Sequence, residues 1–139
     1  MLGKEKAIIA KDAAVSKKGY GLLFLDVEDI TEIADIFFIA QGSNRSQTQA
    51  IADEIMEQLE AQGVRPLRVE GYENGGWILL DYGDLVAHIF MPEENDYFNL
   101  PRLWQDAVFT RFDADGQELP PEEKSAGEEN PESGEETPE

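Results

Sequence analysis

The sequence contains no cysteine, a single histidine and few basic residues, and each shortage excludes a class of function. Without cysteine there is no disulfide framework, no thiolate metal site and no cysteine nucleophile. One histidine, His88, falls short of the several ligands that metal sites usually need. Eleven Lys and Arg against thirty Asp and Glu give a net charge of −19. That charge argues against direct sequence-specific binding of nucleic acid, because basic side chains make most phosphate contacts. We expect neither a cofactor nor a metal.

Long hydrophobic runs are also missing. No apolar stretch approaches the length of a membrane span, and no N-terminal stretch combines basic residues, an apolar run and a cleavage site. From these absences we expect a soluble, cytoplasmic protein that does not contact a membrane.

The composition divides the 139 residues into a domain and a tail. Residues 113–139 hold eleven acidic side chains and one lysine, a net charge of −10, and one large aliphatic residue, Leu119. Such a segment buries too little apolar surface to offset the entropy lost on ordering, so we predict a disordered acidic tail. Residues 1–112 keep a net charge of −9 and are numerous enough for a hydrophobic core. We predict that they form a single folded domain.

Hydrophobic periodicity predicts an α/β (α+β) fold with a mixed sheet of about five strands flanked by helices. Ser46 with Gln49 predicts the start of the main helix, and Gly63 its end. Gly83-Asp84 suits a type II′ hairpin turn. The predicted strands are 21–27, 35–40, 67–70, 77–82 and 85–91; the predicted helices are 4–17 and 46–62, with shorter helical turns at 93–98 and 100–107.

A nucleotidyltransferase is one alternative function. Gly42-Ser43 lies between a predicted strand and a helix, where backbone N–H groups can hold phosphate. Asp81 and Asp84 could then hold magnesium. These carboxylates are three residues apart across a turn, so they do not project side by side. The competing interpretation is that Ser43 and Ser46 cap the helix, and we favour it.

Aromatic residues concentrate in the last third of the domain. By alternation, Trp77, Leu79 and Asp81 share one face of a strand, which is therefore partly exposed, and Tyr82 points to the other. Trp and Tyr dominate interface hot spots. Trp77, Tyr97 and Trp104 fit either an interface or a core. We interpret the lone His88 as a hydrogen-bonded structural or interface residue rather than a catalytic one.

Several of these segments resemble the ribosomal silencing factor family, also called the Iojap family. The resemblance spans roughly residues 4–107 in one order, and from residue 108 onward we recognise no counterpart. The matching segments are Ala34-Asp35-Ile36-Phe37-Phe38-Ile39-Ala40, Gly42-Ser43, Ala50-Ile51-Ala52-Asp53-Glu54-Ile55, Arg68-Val69-Glu70-Gly71-Tyr72, Gly76-Trp77-Ile78-Leu79-Leu80-Asp81-Tyr82-Gly83-Asp84, Val86-Ala87-His88-Ile89-Phe90 and Tyr97-Phe98-Asn99-Leu100-Pro101-Arg102-Leu103-Trp104-Gln105-Asp106-Ala107.

The resemblance implies a nucleotidyltransferase-like fold without the catalytic carboxylates, and hence no enzyme. It implies binding to the large ribosomal subunit through its protein L fourteen. Bound there, members of the family sterically block the small subunit and repress translation when nutrients are short. Members often form homodimers, and organellar relatives assist large-subunit assembly, an outcome that the sequence cannot separate from repression. The docking residues carried over from the resemblance are Trp77, Asp81, Tyr82, His88, Tyr97, Leu100 and Trp104.

Overall fold

The computed structural model of the chain describes residues 1–93 and 96–120, apart from the side chains of residues 96–99. Within these limits, no helix is long and apolar enough to cross a membrane. The elements follow one another as α1 (Gly3–Ser16), β1 (Tyr20–Asp26), β2 (Ile36–Gln41), α2 (Arg45–Glu60), β3 (Arg68–Glu70), β4 (Trp77–Asp81), β5 (Leu85–Phe90), α3 (Asp96–Leu103) and β6 (Val108–Arg111).

The strands form one mixed sheet in the order β3-β4-β5-β2-β1-β6. The central pair, β2 and β5, is parallel, and the other neighbours are antiparallel. The predicted fold class, a mixed sheet flanked by helices, is confirmed. The predicted number of about five strands is corrected to six, because Val108–Arg111 pairs with β1 as an edge strand. This strand is short and mostly exposed, so its sequence lacks the apolar run by which the other strands were recognised.

Two helical crossovers connect parallel strands of the sheet. The first leads from β2 through α2 to β3, and the second from β5 through α3 to β6. The two crossovers run in opposite directions along the sheet. Because crossover connections have the same handedness, these two lie on opposite faces of the sheet. Consequently α1 and α2 cover one face, while the eight-residue α3 is the helix on the other.

The face beneath α1 and α2 holds the larger core. Small side chains on α1, such as Ala10 and Ala14, let this helix approach the sheet closely. From α2, Ile51, Ile55 and Leu59 repeat at four-residue spacing and are fully buried against the sheet. Burial of each such side chain stabilises the fold by roughly 2 kcal/mol, so this layer dominates the stability of the domain.

The start of α2 differs from its prediction by one residue. The helix begins at Arg45, and Asn44 rather than Ser43 or Ser46 is its N-cap. The Asn44 side chain accepts a hydrogen bond from the Gln47 backbone N–H at 2.9 Å. Asn is among the best N-cap residues, because its side-chain oxygen replaces a missing intrahelical acceptor.

The acidic tail begins later than the sequence predicted. Residues 113–120 fold back as a turn in which Phe112 and Glu118 form an antiparallel bridge. One Asp113 carboxylate oxygen accepts hydrogen bonds from two backbone N–H groups of this turn, each at 2.9 Å. Disorder from Asp113 was therefore wrong for this stretch, because local backbone bonds replace the missing hydrophobic contacts. Residues 121–139, the rest of the predicted tail, lie outside the described residues.

A candidate docking surface

The face of the sheet beneath α3 carries most of the predicted docking residues. Alternation along β4 directs Trp77, Leu79 and Asp81 to this face, and all three are half-buried. Leu100 and Trp104 pack on the same face from α3 and the segment after it. We call the four half-buried apolar residues Trp77, Leu79, Leu100 and Trp104 the tryptophan surface.

A hydrogen bond holds Trp77 against the next strand. In the β4–β5 ladder Trp77 lies opposite Phe90 and Leu79 opposite His88, so Trp77 and His88 are diagonal neighbours on one face. The Trp77 indole Nε1–H donates to His88 Nδ1 at 3.0 Å. A neutral imidazole accepts through one nitrogen and carries its proton on the other. Nδ1 is therefore the unprotonated nitrogen, and Nε2 carries the proton.

A chain of ring contacts lies beneath the tryptophan surface and joins its two tryptophans. The His88 imidazole meets the Phe37 ring edge-on, with centroids 5.5 Å apart, and lies nearly parallel to the Phe90 ring at 6.2 Å. Phe37 in turn meets Trp104 edge-on at 5.4 Å. Edge-to-face pairs at these distances are favourable beyond their burial. Both tryptophans therefore rest on a firm base of buried rings.

Burial decides the charge of His88. Only 5% of this residue is exposed. Loss of hydration disfavours the imidazolium ion and lowers the pKa of His88 to about 4, while the nearby Asp81 carboxylate opposes the shift. His88 is therefore neutral at neutral pH, as an acceptor for the indole N–H must be.

Charged side chains border the surface at the sheet edge. Arg68 lies between the Glu70 carboxylate, at 2.8 Å, and the Asp81 carboxylate, at 3.4 Å. The other Asp81 oxygen accepts the backbone N–H of Gly83 at 2.8 Å, within the hairpin turn. Asp81 thus stabilises the turn and holds Arg68, and it does not stand as a free carboxylate.

The structure separates the seven residues expected to dock. Trp77, Leu100 and Trp104 come together in the tryptophan surface, with Asp81 at its border. His88 lies under the surface and is too buried to offer more than its edge to a partner. Tyr97 belongs to α3, but its side chain lies outside the described residues.

The assignment of Tyr82 to the docking surface was wrong. Tyr82 is 5% exposed and packs in the core beneath α1 and α2, on the opposite face from Trp77. Its burial raises the pKa of the phenol to about 12. The phenol oxygen is buried and has no hydrogen-bond partner within the described residues. Tyr82 is therefore a core residue, as the alternation of β4 indicates when it is continued into the turn.

Sequence reasoning missed Phe37 as part of this region, and it placed Leu79 on the same face as Trp77 and Asp81 without assigning it to docking. Phe37 reaches His88 because β2 pairs with β5 in parallel, a contact between segments about fifty positions apart. Only the pairing of the two strands brings them together. For Leu79, alternation with Trp77 and Asp81 was enough, and the structure places all three on this face.

The nucleotidyltransferase alternative fails on the geometry of the sheet. Asp84 lies level with the start of β2, where its carbonyl accepts the Asp35 N–H at 2.8 Å. Gly42 lies at the other end of β2, where its N–H bonds to Phe90. The six residue-to-residue steps from Asp84 to Phe90 correspond to about 20 Å of strand. The carboxylates and the Gly42 turn therefore cannot act on one nucleotide.

The carboxylates are also engaged elsewhere. Asp84 accepts the Lys6 ammonium at 2.8 Å, and Asp81 is held by Arg68 and Gly83. Among the residues described, no three His, Asp or Glu side chains gather in a group that could hold a metal ion. The turn at Gly42-Ser43 serves the start of α2: the Ser43 N–H donates to the Gln47 side chain at 2.7 Å.

Comparison with known proteins identifies the family. The family model described as ribosomal silencing factor during starvation matches residues 3–138. The chain belongs to this family. The match extends well beyond residue 107, so the expectation that residues 108–139 have no counterpart in the family was wrong. The family resemblance inferred from the sequence is confirmed, and with it a role connected with the ribosome and the regulation of translation.

Individual relatives agree with this assignment. The ribosomal silencing factor of Bacillus subtilis is 40% identical over 105 residues, which cover 76% of this chain and 89% of the relative. A crystal structure of a Chromobacterium violaceum protein superposes with a TM-score of 0.72 at 31% identity, covering 76% of this chain and 88% of the other. A Bacillus halodurans crystal structure gives a TM-score of 0.68 at 38% identity, covering 73% and 94%.

A more distant relative carries an assembly-related name. The mouse protein named mitochondrial assembly of ribosomal large subunit protein 1 is 25% identical over 73 residues, which cover 50% of this chain and 32% of the relative.

Proposed function

We propose that this protein represses translation in the cytoplasm by binding the large ribosomal subunit through ribosomal protein L fourteen and sterically blocking the small subunit, above all when nutrients are scarce. The observation that carries the proposal is membership of the ribosomal silencing factor family along nearly the whole chain. The mechanism is binding rather than catalysis, because a domain that covers a surface needs only affinity and bulk.

The tryptophan surface supports a docking role. Partly exposed tryptophans on a rigid base are the side chains that dominate interface energetics. Trp77 is fixed by His88 and Trp104 by Phe37, so little conformational freedom is lost when a partner covers them. The leucines between them add apolar area, and Arg68 with Asp81 supplies a polar rim of the kind that surrounds interface cores.

Charge and size suit the proposed partner and the proposed block. A chain with a net charge of −19 is attracted to a basic ribosomal protein, and opposite charge accelerates encounter. Six strands spaced about 4.8 Å apart make a sheet roughly 24 Å wide. A body of that width, seated on the subunit-joining face, leaves no room there for the small subunit.

Sedimentation with isolated large subunits tests the proposal. Wild-type protein should co-sediment with large subunits at physiological salt, and its addition should lower the light scattering of a mixture of both subunits. Trp77→Ala and Trp104→Ala should each weaken binding at least about tenfold, as hot-spot truncations do. Ile8→Ala is the matched control, because Ile8 is an apolar residue, half exposed on α1 on the other side of the sheet.

Two results would overturn the proposal. Wild-type protein that fails to bind large subunits removes its basis, and binding without any effect on subunit joining removes the steric block. Equal affinity of all three variants would instead place docking elsewhere on the molecule. Crosslinking from the hairpin of β4 and β5 should identify L fourteen as the protein in contact.

Large-subunit assembly is a second candidate, favoured by the name of the mouse relative. Subunit profiles of cells lacking the protein separate the two roles. Repression predicts an excess of joined ribosomes during starvation, whereas an assembly role predicts a shortage of large subunits in rich medium as well. The family also implies a homodimer, which light scattering after gel filtration would register as twice the 15.6 kDa chain mass.

A further inference from the structure

The strongest unassigned feature of the molecule is the buried His88 beneath Trp77. No catalytic step uses it, and only 5% of it is exposed, so it cannot itself supply much contact area. Yet it accepts a directed hydrogen bond from Trp77, one of the two tryptophans of the tryptophan surface. A polar ring retained inside an otherwise apolar cluster needs a reason, because an apolar side chain of similar size would avoid the cost of burying it.

We propose that His88 is a positioning residue that holds the Trp77 indole in the one orientation in which the large subunit is bound. The inference rests on the proposed function and goes beyond it by assigning separate roles to the two residues. Trp77 makes the contact, and His88 acts through Trp77.

The geometry supports a fixed orientation from both sides of the bond. The imidazole cannot rotate freely, because Phe37 meets it edge-on at 5.5 Å and Phe90 lies parallel to it at 6.2 Å. The indole is also packed against Phe90, with centroids 5.1 Å apart. Ring packing alone would allow the indole to flip about its side-chain bonds, since either flat face suits an apolar neighbour. The bond from Nε1 to Nδ1 selects one of these orientations.

The electrostatic environment keeps this acceptor available. Desolvation holds the pKa of His88 near 4, so the unprotonated Nδ1 is present throughout the neutral range. The Arg68 guanidinium at the border is engaged by Glu70 and Asp81, and it therefore does not compete for the imidazole.

Three single substitutions and one double variant test the inference through binding to isolated large subunits. His88→Phe fills the site but lacks an acceptor, and it should weaken binding about five- to tenfold, the value of one lost hydrogen bond with an unpaired donor. His88→Asn keeps an acceptor oxygen at the position of Nδ1 and should stay within about threefold of wild type. Trp77→Phe lacks the indole N–H, and adding His88→Phe to it should cause little further loss if His88 acts only through Trp77.

Nuclear magnetic resonance measures the indole N–H directly, and its signal would not change if His88 only supported the fold. The chain has two tryptophans, so two indole N–H signals are expected, and Trp77→Phe assigns them. The Trp77 indole proton should exchange with water at least about tenfold more slowly than that of Trp104, whose indole N–H donates to none of the described residues. In His88→Phe the Trp77 signal should shift and its exchange should accelerate, whereas His88→Asn should retain slow exchange.

The outcomes separate this inference from the proposed function. If wild-type protein does not bind large subunits, the proposed function fails, and indole exchange alone decides whether His88 fixes Trp77. If wild-type protein binds, equal affinity of His88→Phe and wild type overturns the inference. The inference also fails if the affinity losses of Trp77→Phe and His88→Phe multiply in the double variant, because His88 would then act independently of Trp77. Should His88→Phe not fold, equal exchange rates of the two indoles in wild-type protein would overturn it without any variant.

Discussion

Acidification should destabilise this protein through His88, and the effect can be worked out from the structure. The pKa of this residue is about 4 in the folded state, against 6.5 for an ordinary histidine, because burial penalises the imidazolium ion. The unfolded chain therefore binds a proton at a pH where the folded protein does not. The stability that neutral His88 provides is complete above pH 6.5 and is lost as the pH falls from 6.5 toward 4.

The two pKa values set the size of the effect. Between pH 7 and pH 5 the unfolded state becomes almost fully protonated at this position, while the folded state stays mostly neutral. Linkage then predicts a loss of about 2 kcal/mol of unfolding free energy from this one residue. Such a loss is a substantial share of the free energy of unfolding of a small domain, which is about 5–15 kcal/mol.

Urea denaturation at pH 7 and pH 5 measures this loss against His88→Asn. Asparagine does not titrate but preserves an acceptor for the Trp77 indole N–H, and carboxylates titrate alike in both proteins. The cost of the smaller side chain is the same at both pH values and cancels in the comparison. Wild-type protein should lose about 2 kcal/mol more than the variant between pH 7 and pH 5. Losses equal within about 0.5 kcal/mol would show that His88 is not desolvated as described.

Four further substitutions probe the framework around the site, each followed by urea denaturation at pH 7. Tyr82→Phe should leave stability unchanged or raise it by up to about 1 kcal/mol, because it removes a buried hydroxyl without a partner in the described residues; a clear loss would mean that the hydroxyl is satisfied. Asn44→Ala should cost about 1 kcal/mol through the lost cap of α2, and no change would assign the cap elsewhere. Gly71→Ala should cost at least about 2 kcal/mol, because its φ is +76° and a Cβ would meet the Trp77 carbonyl oxygen. Gly63→Ala, at a similar φ but in open space, should cost only about 1 kcal/mol; equal costs would refute the role of that close approach.

Much of the fold follows from local pattern, because most strands and helices show the hydrophobic periodicity of their own secondary structure in the sequence. The buried run of β2, the four-residue repeat of Ile51, Ile55 and Leu59, and the turn at Gly83 all act over a few neighbouring residues. Position 63 shows the same principle, since its φ of +79° is one that glycine adopts at little cost. The family resemblance likewise follows from linear segments in a fixed order, and it was confirmed.

The docking surface depends more on pairing between distant strands. Alternation placed Trp77 and Asp81 on one face, but it could not tell that Phe37 of β2 would lie beside His88 of β5. The same pairing put Gly42 and Asp84 at opposite ends of the sheet, which removed the nucleotidyltransferase alternative. Strand β6 and the ordered turn after it were missed, because pairing with β1 and hydrogen bonds within the turn hold them, and neither shows as an apolar pattern in the segment itself.

The sequence by itself therefore determined the class of fold, the family and the identity of the exposed face of β4, because these depend on residues close together along the chain. The tertiary structure alone decided that His88 supports Trp77 from beneath and that the two tryptophans form one surface. Those outcomes depend on which strands become neighbours, a choice made by the burial of both sheet faces at once and not by any single segment.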